Sequence, residues 1–388
     1  MTDVHGYVAR GYEPVREAFA ANFEDQGEVG AACCVHVGSQ VVADLWGGVA
    51  DALTGAPWEE DTLQLVFSTT KGAAAVCVHR LVESGLMDLD APVARYWPEF
   101  AAQGKESIPV RWALSHQAGL ATLDHPLSVA DLLAWDPAIE ALAGQRPLWE
   151  PGTKHGYHAV TFGLLAGELV RRVTGRSLGR FFADEVAGPL GLDFWIGLPE
   201  EHESRVTQLI APDPAALMAI RIDDLPEVMR DLVRAMFDPT SLLMRSLYIT
   251  DPPLDFNSRQ VRAAEIPAAN GIATARALSR MYAALIGEVD GIRLLGPATV
   301  ERARASQVSG PDLTLVLPTN WGLGFQLPIE GFPLSGPGAF GHSGLGGSLA
   351  FADPEAGFAF GYVMNKMGLT MGPDPRTTRL IDAVKSCL

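Results

Sequence analysis

The sequence predicts an α/β protein of the α+β type, with an antiparallel sheet of five or more strands flanked by helices and joined to a helix-rich lobe. Three observations predict it. Strand-like segments crowd the two chain ends, helical periodicity fills the middle, and 388 residues exceed what one hydrophobic core usually organises. With 48% hydrophobic and 19% charged residues the chain can bury a large core. The expected division is residues 1–65 with 266–388 as a discontinuous sheet domain, and 66–265 as a helix-rich domain whose stretch at about 200–265 caps a pocket.

Taken in order, Tyr12 to Asp25 reads as a covering helix. Ala31 to Val37 and Val41 to Trp46 flank Gly38-Ser39-Gln40 and end at Gly47-Gly48, the pattern of a β-hairpin. Helical spacing then takes over at Ser68 to Ser84, His158 to Thr174, and Leu278 to Ile286, where Ala277 and Met281 share a face. Asp90-Ala91-Pro92, Glu150-Pro151-Gly152 and Gly188-Pro189-Leu190-Gly191 punctuate this middle as loops. From Pro212 to Pro267, prolines at 214, 226, 239, 252 and 253 accompany methionines at 218, 229, 236 and 244. Such adaptable side chains either fill a core or cap an apolar pocket. Trp321 to Leu327, Ser348 to Ala352 and Phe358 to Met364 read as strands, with Asp353-Pro354-Glu355-Ala356-Gly357 as a turn between the last two. Thr377 to Cys387 supplies a second covering helix.

Composition narrows the function. Against 46 acidic residues stand 29 basic ones, a net charge of −17, which argues against coating a phosphate backbone. No charged start followed by an apolar stretch marks Met1 to Ala20, and the longest apolar run, Gly72 to Val78, falls far short of the ~20 residues of a membrane span. The expectation is a soluble, cytoplasmic protein that binds neither nucleic acid nor membrane. Cys33, Cys34, Cys77 and Cys387 form no metal or disulfide pattern and read as thiols in a reducing compartment. Lysine is scarce, with five against 24 arginines, so each lysine carries information.

Three segments carry chemistry. Ser68-Thr69-Thr70-Lys71 follows the apolar run Leu63 to Phe67 and opens a helix. Positions i and i+3 share a helix face, so the Ser68 hydroxyl and Lys71 amine can enter one cavity. A serine needs a base, and lysine serves only if burial and the helix dipole pull its pKa far below ~10.4. The same spacing also describes a serine N-cap and a surface lysine. The second segment, Trp149 to Tyr157, precedes a helix, so Tyr157 at that entrance is a proton shuttle to Lys71 or a packed tyrosine bonded to a carbonyl. The third, Phe340-Gly341-His342-Ser343-Gly344-Leu345-Gly346-Gly347-Ser348, is a strand edge that lets a substrate lie on the backbone, or a plain turn.

Together these segments resemble the serine β-lactamase and penicillin-binding-protein superfamily, in particular its class C branch and the family VIII carboxylesterases. The similarity extends to Leu81–Val93, Ile108–Leu120 and Asn270-Gly271-Ile272-Ala273-Thr274, and spans about residues 30 to 365. It implies a β-lactamase-like fold, Ser68 as acylated nucleophile, Lys71 and Tyr157 as the acid–base pair, the N–H groups of Ser68 and Leu345 as oxyanion donors, and His342, Ser343 and Gly344 at the substrate. It implies no cofactor and no metal. Two departures matter. The usual Lys-Thr-Gly is His342-Ser343-Gly344, a weaker clamp for a carboxylate, and Tyr-x-Asn has become Tyr157-His158-Ala159, without the amide. Both point to a carboxylesterase acting on short-chain acyl or aryl esters through an acyl-enzyme. The alternatives are an amide-directed enzyme such as a D-aminopeptidase or weak β-lactamase, an acyltransferase, or a sensor that acylates without turnover. The partner is a small-molecule ester, with the oligomeric state left open. Gly336-Pro337-Gly338-Ala339-Phe340-Gly341 matches G-x-G-x-x-G without a βαβ context, and there is no Walker A, H-E-x-x-H or G-x-S-x-G segment; His155 and His158 read as loop and helix-start polar residues.

Overall fold

The two chain ends meet strand to strand. Gly30–Val37 pairs antiparallel with Phe358–Met364 along its full length, Val37 opposite Phe358 and Ala31 opposite Met364. Around this seam lies a seven-stranded antiparallel sheet in the order Val4–Val8, Gln40–Asp51, Gly30–Val37, Phe358–Met364, Leu349–Asp353, Phe340–Ser343, with Ala56–Pro57 paired to the second of these. This is a computed structural model and describes residues 2–213, 215, 221–222, 225, 227–368 and 373–388.

Phe358–Met364 is buried at every position because both of its faces are covered, which is why it reads as an unbroken apolar run. On one face the helices Glu13–Asp25 and Pro375–Cys387 press Phe19, Leu380 and Val384 against Phe351, Phe360 and Tyr362. Each side chain of this size contributes roughly 1.5–3 kcal/mol when fully buried. On the other face lies the helix Ala275–Ile286, whose Thr274 N-cap accepts from Ala277 N–H. A Cβ on Gly361 would fall 2.3 Å from the Ala275 carbonyl oxygen, so only glycine lets this helix approach so closely.

The helix Thr70–Glu83 runs through the second core, buried on nearly every side and packed on Thr161–Thr174. An Ala-rich helix that is apolar all round belongs inside a molecule. Thr161–Thr174 stops at Gly175, whose φ of +72° caps it.

Several elements differ from the sequence expectation. Val4–Val8 is an added edge strand, five residues long and largely exposed. At Phe340–Ser343 the strand edge, not the alternative of a plain turn, is what forms. In place of a strand over Trp321 to Leu327, Pro318–Trp321 pairs with Val308–Pro311; the chain then bends through Gly322 to Gly324 and sends Leu323 and Phe325 into the core. The helix expected from His158 starts at Thr161. Residues 212–267 contain the helices Glu227–Phe237, Leu242–Leu247 and Arg259–Ala263; Pro214, Met218 and Pro226 lie outside the described residues. Among the described residues no helix is long and apolar enough to cross a membrane.

Candidate active site

Ser68 sits in a turn made by its strained neighbour. Phe67 has φ of +45°, a conformation that costs an L-residue about 1–3 kcal/mol. The turn is over-determined. The Phe67 carbonyl accepts from the Thr70 N–H at 3.0 Å and from the Thr70 hydroxyl, Val66 N–H donates to Gly271 O at 2.9 Å, and Phe67 packs edge-on against Phe256. Ser68 is thereby turned out of the core into a cavity, half-buried while its neighbours are buried. The N-cap of the helix is Thr69, and Lys71 is fully buried, which rules out the surface-lysine alternative.

Lys71 Nζ lies 3.0 Å from Ser68 Oγ, 2.7 Å from Ala159 O and 3.0 Å from Ala268 O. Burial pulls its pKa well below the ordinary lysine value. An uncharged amine has two N–H donors and one lone pair, and these partners match that count: two carbonyls that only accept, and one hydroxyl that can donate. Neither carbonyl was anticipated. Ala159 stands where the usual asparagine is lost, and its main chain now meets the lysine. Ala268 is brought there by Asn270, whose amide bonds Val261 O, Ala264 O and Ile266 N–H.

Tyr157 lies four residues before the helix, away from the N-terminus where the sequence reading put it, and its side chain lines the same cavity as Ser68. Burial raises the phenol pKa and keeps it protonated, and Lys71 Nζ sits 4.7 Å from the ring centroid. Ser68 shares its cavity with the phenol and bonds the amine. The Tyr157 ring lies on Trp321, centroids 5.3 Å apart at 12°, and His116 meets Trp321 edge-on at 4.5 Å. Trp321 had registered only as a strand residue, and His116, a non-glycine at φ of +62°, only as part of a resemblance.

His342 is 2% exposed, and burial with the nearby Lys71 pushes its pKa down to about 3. Its Nδ1–H donates to Ser343 O at 2.7 Å, so Nε2 carries the lone pair, and that atom has no protein partner. Ser343 donates from both N–H and Oγ to Gln326 Oε1, at 3.2 and 2.9 Å. A Cβ on Gly344 would fall 2.1 Å from Ser348 Oγ and 2.2 Å from Val66 O. Glycine here lets the turn carrying Leu345 press against the turn carrying Ser68. Ser348 Oγ pins the contact by bonding Val66 O at 2.8 Å, and Arg376 Nη2 holds Gly346 O at 2.8 Å from beneath.

The cavity measures about 300 Å³ and is lined by Ser68, Tyr157, His342, Ser343, Gly344 and Leu345 together with apolar walls. Met229, Leu232, Leu243 and Leu247 of the Met-rich stretch form one wall; Leu315, Leu317 and Leu327 form another. Among the described residues lining it there is no Lys or Arg, and its charged members are Glu330 and Asp374. Arg376, just behind, is committed to Asp374, Glu28 and two main-chain carbonyls. His155 bonds Thr319 Oγ1, while His158 bonds Gly156 O and Leu120 N–H, so both are structural.

A family model described as Beta-lactamase matches residues 15–385. Over 367 residues the chain is 41% identical to "Esterase/beta-lactamase LipL" of Mycobacterium tuberculosis (strain ATCC 25618 / H37Rv), covering 91% of this chain and 81% of that protein. Two solved structures cover all of both chains at a TM-score of 0.88. One is a family VIII carboxylesterase, 40% identical, and the other a penicillin-binding protein homolog from Caulobacter crescentus, 41% identical.

Proposed function

We propose, from the premise that this chain belongs to the Beta-lactamase family, that it is a serine carboxylesterase for neutral short-chain acyl or aryl esters, working through an acyl-enzyme on Ser68. The observation that carries this reading is the set of partners around Lys71, which suits an uncharged amine accepting the Ser68 proton. As Oγ attacks the ester carbonyl, that proton passes to Nζ, and the N–H groups of Ser68 and Leu345 receive the oxyanion. Collapse breaks the C–O bond. Tyr157 gives its proton to the departing alkoxide and regains one from the Lys71 ammonium. Water then enters, loses a proton to the same pair, attacks the acyl carbon, and returns Ser68 as the hydroxyl.

Preference for an ester over a β-lactam follows from the charge at the cavity. A β-lactam brings a carboxylate, and the walls offer it a neutral, acceptor-presenting His342, two acids and no Lys or Arg. The apolar walls from residues 229–247 and 315–327 suit the acyl chain, consistent with a capping role for the 200–265 stretch.

The test compares p-nitrophenyl acetate and butyrate with nitrocefin, alongside intact-mass measurement of an acyl adduct. Ester turnover should exceed nitrocefin turnover, and Ser68→Ala should abolish both turnover and adduct. Nitrocefin turnover above ester turnover, or an adduct that survives Ser68→Ala, overturns the assignment.

A further inference from the structure

Behind Tyr157, away from the reacting atoms, lies a buried carboxylate that the mechanism above leaves unused. Asp312 is 2% exposed. Its Oδ1 accepts from the backbone N–H groups of Tyr157, Thr314 and Leu315, each at 2.9 Å. Its Oδ2 accepts from the Thr319 hydroxyl at 3.3 Å and from the Trp321 indole N–H at 3.4 Å. His155 Nε2, bonded to Thr319 Oγ1 at 2.9 Å, completes the surround 3.9 Å from Oδ2.

Tyr157 needs such support, because residues 154–158 form neither helix nor strand; apart from Asp312 the segment is held by Ser246 Oγ on the Tyr157 carbonyl at 3.2 Å and by His116, which takes the Gly156 and His158 N–H groups. Two things decide where the phenol oxygen sits: the backbone position of Tyr157 and the plane of its ring. Asp312 holds the first through the Tyr157 N–H. It holds the second through Trp321, on which the ring is stacked. A carboxylate removed from water is costly unless its oxygens are filled, and five donors fill this one. Displacing a reacting group by about 1 Å typically costs about 100-fold in rate.

We propose that Asp312 is a positioning residue for proton delivery, holding the Tyr157 hydroxyl where the leaving alcohol collects its proton and so setting how well the enzyme cleaves esters of poor leaving groups. The proposal rests on Tyr157 acting as the general acid. It gives a signature that loss of folding does not. A p-nitrophenolate departs without protonation, whereas an ethoxide does not, so faulty placement of the acid penalises the ethyl ester selectively.

The experiment measures kcat and KM for ethyl butyrate and p-nitrophenyl butyrate with the full chain, as wild type, Asp312→Ala, Asp312→Asn, Tyr157→Phe and the Asp312→Asn/Tyr157→Phe double variant. Asp312→Ala should lower kcat/KM, which reads acylation before the shared butyryl-enzyme, about 100-fold on ethyl butyrate and less than about 5-fold on the nitrophenyl ester. Asp312→Asn keeps an acceptor for the three backbone N–H groups but turns an NH₂ toward Trp321, and should lose about 10-fold selectively. It carries the test if the alanine variant does not fold. In the Tyr157→Phe background the selective loss from Asp312→Asn should vanish. Equal losses on both esters, or a selective loss that persists without the phenol, overturn the positioning role. A Tyr157→Phe enzyme whose kcat/KM falls alike on both esters overturns the general-acid reading itself, and the proposal with it.

Discussion

Two of the five lysines, Lys71 and Lys105, are completely buried, and each places its amine against three oxygens. Lys105 Nζ donates to Ala102 O at 2.8 Å, Ala143 O at 2.8 Å and Gln145 O at 2.6 Å. All three are carbonyls, which only accept, so they use the three N–H bonds of an ammonium. Burial lowers the Lys105 pKa to about 8, and the group remains charged at neutral pH. At Lys71 one carbonyl is replaced by the Ser68 hydroxyl, and burial takes the pKa well below its ordinary value. Burial is common to both sites; the chemistry of a single partner separates a structural clamp from the proposed base.

The hardest test of this contrast is Lys71→Met. It should cut kcat by at least about 1,000-fold and lower Tm by a few degrees, since it also strands the Ala159 and Ala268 carbonyls; circular-dichroism melting beside ester assays measures both. The pH profile should follow the same amine. Activity needs Lys71 unprotonated, so kcat/KM should fall roughly ten-fold per pH unit on the acid side with a midpoint well below the ordinary lysine range. A profile that instead rises only toward the pKa of a free lysine would break the comparison.

Gly344→Ala addresses the oxyanion turn. The added methyl meets Val66 O and Ser348 Oγ, so Leu345 N–H is pushed from Ser68, and turnover should drop by about 10- to 1,000-fold with KM little changed. Lys105→Met should cost stability without costing activity, where Lys71→Met costs both. It strands three carbonyls at about 1–3 kcal/mol each, lowering Tm by several degrees, while kcat measured well below Tm is retained.

The smallest effect is in pH-dependent stability. Lys105 has a folded pKa of about 8 against about 10.4 unfolded, so between these values the unfolded chain holds more protons. Its contribution to stability therefore rises with pH across that window and is lost as pH falls through the folded value. The Tm difference between wild type and Lys105→Met should widen from pH 8 to 10.

Much of the fold was legible because burial leaves a periodic trace. Phe358–Met364 was visible as an apolar run and the hairpin as two runs around a turn. Val4–Val8 left no such trace: at a sheet edge with three exposed residues, backbone pairing to Gln40–Asp51 makes it a strand. The bend after Trp321 was equally silent, since Leu323 and Phe325 are buried by a fold-back onto the helix of Lys71 rather than by alternation.

At the site, the i and i+3 spacing already brought Ser68 and Lys71 together at a helix entrance, and the glycines at 344, 346 and 347 announced a backbone-lined edge. These are local facts, fixed by covalent order and by the pitch of a helix. The partners that give Lys71 its character come from Ala159 and Ala268, 88 and 197 residues away, and the carboxylate that grips Tyr157 is 155 residues beyond it. Main-chain carbonyls carry no residue identity, and desolvation belongs to a place rather than to a letter. The sequence could therefore determine which side chains share a helix, while only the packed molecule decided which amine is charged, where the phenol points, and what surrounds them.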